Sequence, residues 1–250
     1  MRWQMTRIHS LLIVLALLVL PGVSFGQTIN SLTAQEKAQG WVLLFDGKTL
    51  NGWHPSAPPP ARGQGQGQGQ GRAGAPPAAP QPGALPAVGS APTPCTTASK
   101  TAAPGVSHWE VVDGALTPCA EPAGYLNSDQ SYRNFVLSLE FKTSEEANSG
   151  VYVRSPMEAG GYEVQIWKQQ PAGFNTGAIV GTAKTARDYR HKADQWNQLQ
   201  ITADGDHLVV VLNGETTLDV RDAKFPEGHI RLQYQQYPIA FRSIKLRPMP

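Results

Sequence analysis

A chain of 250 residues with 21 Lys and Arg against 19 Asp and Glu carries a formal charge of only +2. Nucleic-acid binding rests on neutralising phosphates, so this balance argues against a polyanionic partner and leaves polar, uncharged ligands. Two cysteines, Cys95 and Cys119, match no zinc-binding spacing.

The chain opens with Arg2 and Arg7, the apolar run 11–20, Pro21 and the small-residue exit Ser24-Phe25-Gly26. That is the layout of a secretory signal peptide over residues 1–26. The run falls short of the roughly 20 apolar residues that a membrane span needs, no cysteine follows it, and no second apolar run appears. The expectation is an exported protein, periplasmic or secreted, with no stable membrane anchor after cleavage. Loss of residues 1–26 removes two Arg and no acid, so 21 and 19 become 19 and 19 and the mature chain is neutral.

Residues 33–39 suit a turn or two of helix, and GWVLLFDGKTLNGW (40–53) reads as a strand and turns with anchoring tryptophans. The composition then breaks. Residues 55–107 hold 12 of the 21 prolines and 9 of the 25 glycines, include GQGQGQGQG, and contain no aromatic residue. Such a stretch buries too little apolar surface to offset its ordering entropy and is expected to be disordered. Residues 27–54 are too few to fold alone, so the simplest organisation is one domain, 27–250, with a long insertion after its first strand. The cost of closing a loop grows slowly with its length. In an exported chain Cys95 and Cys119 would form a structural bridge around His108 and Trp109.

From Trp109 onward nearly everything reads as strand: WEVVDGALT, NFVLSLEFKT, NSGVYVRS, GYEVQIWK, WNQLQITADGDHLVVVLNGETTLDV and GHIRLQYQQYPIAFRSIKLRP. Asp113-Gly114, Asp204-Gly205 and Asn213-Gly214 signal tight hairpins. Closely spaced strands of this kind predict an all-β, two-sheet antiparallel sandwich. In GYEVQIWK the alternation puts Tyr162, Val164 and Ile166 on one side and Glu163, Gln165 and Trp167 on the other. NSGVYVRS repeats it, with Tyr152 and Arg154 opposite Val151 and Val153. A solvated face needs only Thr, Lys and Ser. A carboxylate, an amide, a guanidinium and aromatics on one period suit the handling of a sugar.

The ordered succession GWVLLFDGKTLNGW, W-x-V-x-DG-x-L at 109–116, LEFK, ANSGVYVRS, GYEVQI, NTGAIVG, QWN, LNG and FRSIKL resembles the 3-keto-disaccharide hydrolase family. The resemblance implies a concanavalin-A-like jelly roll, an exported bacterial protein, and hydrolysis of disaccharides already oxidised at C3 by other proteins. A C3 ketone acidifies the C2 hydrogen, so a base can remove it, the enediolate is held, and the C1 oxygen leaves by elimination before water adds back. That route needs one base, donors for the oxyanion, and an acid or metal at the leaving group. It does not need the paired carboxylates of ordinary glycosidases. A sandwich-fold glucanase would show E-x-D-x-x-E on one strand, and here Glu163-Val164-Gln165-Ile166-Trp167-Lys168 has a single carboxylate.

With the resemblance, Glu163 becomes the candidate base, or a ligand if a divalent cation is present. Gln165 would orient a hydroxyl or the enediolate. Arg154 would donate to the oxyanion, or pair with Glu140 or Glu163 across strands. Asn148 would touch substrate or metal at a strand mouth, or serve as a turn residue. Tyr152 and Trp167 would stack on a sugar ring, or belong to the core. His191 lies in a loop over the expected cleft and titrates in the range of an acid or base. The other histidines considered, His54, His108, His207 and His229, show no ligand spacing. The implied partner is an oxidised disaccharide or glycoside. Two features depart from the family: Trp167-Lys168 stands where an Asp is common, and Tyr234-Gln235-Gln236 stands where a D-H-G-like turn is expected. Lys168, Gln169, Gln170, Gln235 and Gln236 would form an amide-rich rim suited to polyhydroxylated ligands.

Overall fold

The computed structural model describes residues 28–56, 106–120, 123–157, 160–168, 170 and 172–250. The signal segment, residues 57–105 and Gln169 lie outside the described residues, as does Cys95 with the bridge drawn from it to Cys119. In chain order the elements are α1 (Ala34–Ala38), β1 (Val42–Leu43), β2 (Trp53–Ser56), β3 (His108–Val112), β4 (Ala115–Ala120), β5 (Gly124–Tyr132), β6 (Phe135–Thr143), β7 (Ser149–Ser155), β8 (Tyr162–Ile166), β9 (Asn197–Asp204), β10 (His207–Leu212), β11 (Glu215–Arg221), β12 (Gly228–Tyr234) and β13 (Ile239–Pro248). They build two antiparallel sheets. The eight-stranded sheet runs β11-β10-β9-β6-β13-β4-β3 with β1 on β13, and the five-stranded sheet runs β2-β5-β12-β7-β8. This is the all-β, two-sheet antiparallel sandwich that the alternation predicts, and the jelly roll that the family resemblance implies.

The period-two pattern decides which side chains meet between the sheets. Phe135, Leu137, Leu139 and Phe141 of β6 join Val151, Val153, Tyr162, Val164, Ile166, Ile230 and Leu232 of the facing sheet in one core cluster, each at most 1% exposed. Every such Leu, Ile or Phe contributes about 1.5–3 kcal/mol on burial. The helix at 33–39 is present as α1, where Thr33 and Glu36 form a capping box. Lys245 pairs with Glu36 and ties the helix to β13.

Asp113-Gly114 and Asn213-Gly214 make the expected two-residue turns, with φ of 51° and 73° and of 51° and 84°. Positive φ at both positions matches the twist of the flanking strands. The third hairpin turns one residue later than expected. Asp204 pairs with His207, leaving Gly205-Asp206 as the turn. The 40–53 segment is mostly turns rather than strand, because Asp46 Oδ1 accepts the amides of Lys48 and Thr49 at 2.8 Å and bends the chain after β1.

Two boundaries are corrected. The insertion follows β2, not the first strand, and its edges are narrower than 55–107. Pro55 and Ser56 pair with Leu126 and Tyr125, and Ser107 is buried as the acceptor for Trp109 Nε1 at 3.0 Å. A Cβ on Gly124 would lie 2.5 Å from Ser107 Oγ and 2.6 Å from Ser56 O. The two ends of the insertion therefore leave the sandwich side by side, which is why the fold tolerates it.

β5 is the strand that alternation does not reveal. Its sequence GYLNSDQSY has turn composition, yet Asn127 and Ser128 are buried in a central strand. Their polar atoms are satisfied in place. Asn127 Nδ2 donates to His54 O and Ser56 Oγ at 3.1 and 2.9 Å, and Ser128 Oγ accepts from Ile230 N at 3.0 Å.

Candidate functional site

β8 keeps Tyr162, Val164 and Ile166 in the core, so Glu163 and Gln165 turn to the outer face of the five-stranded sheet. Register builds the rest of that face. Glu163 stands opposite Tyr152, Tyr152 opposite Arg231, and Arg231 opposite Asn127, a single row across four strands. In the adjacent row Gln165 faces Gly150, and Gln233 faces Tyr125.

Glu163 is partly buried, and burial pushes its carboxyl above the usual carboxylate range, against a hydrogen bond from the Tyr152 hydroxyl. Burial, followed by the neighbouring Glu163 and Tyr125, drives the Tyr152 phenol far above its ordinary value, so Tyr152 stays a neutral donor. The Tyr125 and Tyr152 rings meet edge to face at 5.4 Å. Arg231 lies against them, its guanidinium 4.0 Å from the Tyr125 ring and 5.8 Å from that of Tyr152. Its Nε donates to Asn127 Oδ1 at 2.8 Å and its Nη1 to Ser155 Oγ at 3.2 Å. Among the described residues no carboxylate pairs with Arg231, and its Nη2 makes no hydrogen bond.

Gly150 lies at the centre of this face, beneath the side chains of Glu163 and Gln233. A Cβ there would lie 3.2 Å from Glu163 Cγ and Oε1 and 3.3 Å from Gln233 Oε1. Gln233 Oε1 is buried and has no hydrogen-bond partner among the described residues. Two acceptor oxygens therefore converge over a glycine, beside a guanidinium with donor capacity to spare. An uncharged polyol, which both donates and accepts at every hydroxyl, meets that demand. Among the described residues no three His, Cys, Asp or Glu side chains converge. A cation at this face would have Glu163 as its one carboxylate and amide oxygens as neutral ligands.

Arg154 does not share the face with Glu163 and Gln165, and the expectation that it would is corrected. Between His229 and Arg231 the pairing of β12 slips, so Val153 and Arg154 together oppose Ile230. Arg154 is the residue that bulges, at φ 50°. The bulge turns its fully buried side chain toward one end of the sandwich. There Nε donates to Arg133 O at 2.6 Å, Nη1 to Gly205 O at 2.6 Å, and Nη2 to Asn134 Oδ1 at 3.2 Å. Ser155 takes the outward position beside Arg231.

His191 lies in the loop between β8 and β9 but does not stand exposed over a cleft. It is buried, its ring meets that of Phe141 edge to face, and Nε2 donates to Ser144 O at 3.0 Å. That bond leaves Nδ1 as the acceptor for Thr176 Oγ1 at 3.2 Å. Burial lowers its pKa, so the ring stays neutral. Both nitrogens are engaged, and His191 is removed from the substrate contacts. Asn148 forms a backbone bridge to Gln236. Trp167 is partly buried just past the end of β8, where continued register sets it across from Asn148. At the departure from the family pattern, Lys168 Nζ pairs with Glu145 at 3.1 Å and is largely shielded, so it is not a free rim cation.

Four members of the face escaped the sequence reading: Tyr125, Asn127, Arg231 and Gln233. A signal existed for Arg231, a guanidinium between the core residues Ile230 and Leu232 in HIRLQY, just like the one that drew attention to Arg154. None existed for Asn127, whose strand has no alternation.

A model of the 3-keto-alpha-glucoside-1,2-lyase-like domain matches residues 40–247. The chain belongs to this family. Two solved structures from Parabacteroides distasonis ATCC 8503, both provisionally named glycosyl hydrolases, are similar to it. One has a TM-score of 0.60 at 16% identity, over 89% of this chain and 100% of that one. The other has a TM-score of 0.51 at 26% identity, over 56% of this chain and 90% of that one. Among curated proteins none matches. Family membership and these neighbours support a carbohydrate-active function.

Proposed function

We propose that this family member is an exported enzyme that cleaves the glycosidic bond of 3-keto-disaccharides and related 3-keto-glycosides. The observation that carries the reading is the outer face just described: one partly buried carboxylate with a raised pKa, shared with a charged guanidinium that has no acid partner. Glu163 takes the C2 proton, and the electron pair moves through the enediolate to expel the C1 oxygen, which leaves with a proton. Water then adds hydroxide to C1 and a proton to C2, so that one disaccharide and one water yield two sugars. Arg231, rather than Arg154, supplies positive charge toward the developing oxyanion, and Gln165 and Gln233 orient hydroxyls. The one-carboxylate face supports this route over double displacement. Export rests on the signal layout of residues 1–26, and the mature chain is one domain interrupted by its low-complexity insertion.

The test is incubation of purified protein with 3-keto-trehalose or 3-keto-lactose, with the unoxidised sugars as controls, and chromatography of the products. Release of 3-keto-glucose from the oxidised sugars alone is expected. Saturable binding by calorimetry with no product from any keto-sugar would instead make the protein a carbohydrate-binding module.

Two further results are expected. The base must be ionised, and burial raises the Glu163 pKa. The acidic limb of the kcat/KM profile should therefore lie above the ordinary Glu value of about 4.3, and a limb at or below that value would argue that another group is the base. Gly150→Ala should leave the sandwich folded, because the backbone at Gly150 is outside the left-handed region, at a cost of about 1–3 kcal/mol for overpacking. Its methyl group would press on Glu163 and Gln233, which must shift by a few tenths of an ångström, and slower turnover is expected because the base leaves its best alignment. Thermal unfolding and product release measured together would separate the two effects.

A further inference from the structure

On the opposite side of the sandwich, the outer face of the eight-stranded sheet carries a hollow of about 220 Å³. Its lining includes Trp196, Lys142, Thr117, Asp113 and Asp194, over the small side chains of Ala115 and Ala240. Arg242, which is not part of this lining, stacks on the Trp196 ring at 3.8 Å and is itself fixed by Glu140 at 2.7 Å. Lys142 Nζ, which is part of the lining, also lies over the Trp196 ring, 5.3 Å from its centroid.

We infer that this hollow is a second carbohydrate site, which takes one neutral hexopyranose ring. An indole suits the C–H face of a pyranose, and the ring hydroxyls can donate to Asp113 and Asp194 and accept from Lys142 and Thr117. Two carboxylates beside one ammonium favour an uncharged polyol over an anion. The volume is below the roughly 300–1,000 Å³ of a drug-sized pocket, which restricts the occupant to a single ring. The site does not use the Glu163 face, so it stands whether or not that face is catalytic. Its place is to hold the protein on a glycan while the other face acts.

Methyl glucopyranoside is the probe, titrated into the full chain and followed by calorimetry and by intrinsic tryptophan fluorescence. Saturable binding is expected, weakened at least ~10-fold by Trp196→Ala and also lost in Ala240→Leu, which fills the hollow without replacing Trp196. Glu163→Gln should leave this binding unchanged, and both hollow variants should release 3-keto-glucose at the wild-type rate. Absence of saturable binding, or binding that survives both hollow variants, would overturn the assignment. So would binding that is lost in Glu163→Gln, because the sugar would then be occupying the other face.

Discussion

Glu163→Gln is expected to lower the release of 3-keto-glucose by about 10²–10⁴-fold, the range lost when a positioned general base is removed. The substitution keeps the length and shape of the side chain and retains an oxygen to accept the Tyr152 hydroxyl, so the face is not emptied. What disappears is the lone pair that takes the C2 proton. Substrate binding should persist, because Arg231, Gln165 and Gln233 are untouched, and the loss should fall on kcat rather than KM. The fold should survive for an electrostatic reason. The folded-state pKa of Glu163 lies above its unfolded value, so its stabilising contribution is full below the unfolded pKa and is lost as pH rises through the folded one. At neutral pH the buried carboxylate is a cost, and the neutral amide should give an equal or higher Tm. Single-turnover kinetics, calorimetric binding of the keto-sugar and thermal unfolding would read all three. Normal turnover in Glu163→Gln would remove this residue from the mechanism.

Arg154→Ala should have the largest effect on stability, about 3 kcal/mol or more. The side chain is fully buried and donates to three backbone carbonyls, those of Arg133, Gly205 and Phe225, and to Asn134, in the β5–β6, β9–β10 and β11–β12 connections. It is a strut that reaches from the five-stranded sheet to turns that serve the eight-stranded one. Removing it takes the donor from each of these carbonyls and leaves a void in place of a fully buried side chain. In a domain of this size 3 kcal/mol corresponds to a fall in Tm of about 6–12 °C. Arg154→Lys keeps the charge but cannot hold the fork of bonds, and an intermediate loss is expected. If Arg154 held the oxyanion instead, Arg154→Lys would keep its Tm and lose kcat. Chemical denaturation beside the turnover assay distinguishes these outcomes.

The bulge at Arg154 also shows why one site residue was misread while its neighbours were not. Strand alternation is a local rule that holds while backbone pairing stays in step. Glu163 and Gln165 obey it because β8 pairs with β7 without a slip. Arg154 violates it because β7 carries one residue more than β12 can match, and no property of NSGVYVRS by itself announces that count. Space for the bulge comes from elsewhere in the chain. A Cβ on Gly228 would lie 2.5 Å from the Arg154 carbonyl carbon, so the partner strand must offer a glycine there. His191 was misjudged for a related reason. A loop residue is exposed unless tertiary packing covers it, and here Phe141, Ser144 and Thr176 converge on it from distant positions.

By itself the sequence determined the sandwich, the short helix at its start, the position of the insertion to within two residues at each end, the family, and the outward pairing of Glu163 with Gln165. The family rests on the resemblance of an ordered succession of motifs, and the rest follow from hydrophobic period, turn chemistry and composition, which act over a few neighbouring residues. Only the tertiary structure decided that Arg231 replaces Arg154 on the face and that Tyr125 and Asn127 belong to it. It also decided that Gly150 lies beneath Glu163 and Gln233 and that Trp196, stacked by Arg242, borders a hollow on the other sheet. Each of these depends on which strands become neighbours and in what register, and register is set by the whole core packing at once rather than by any one segment.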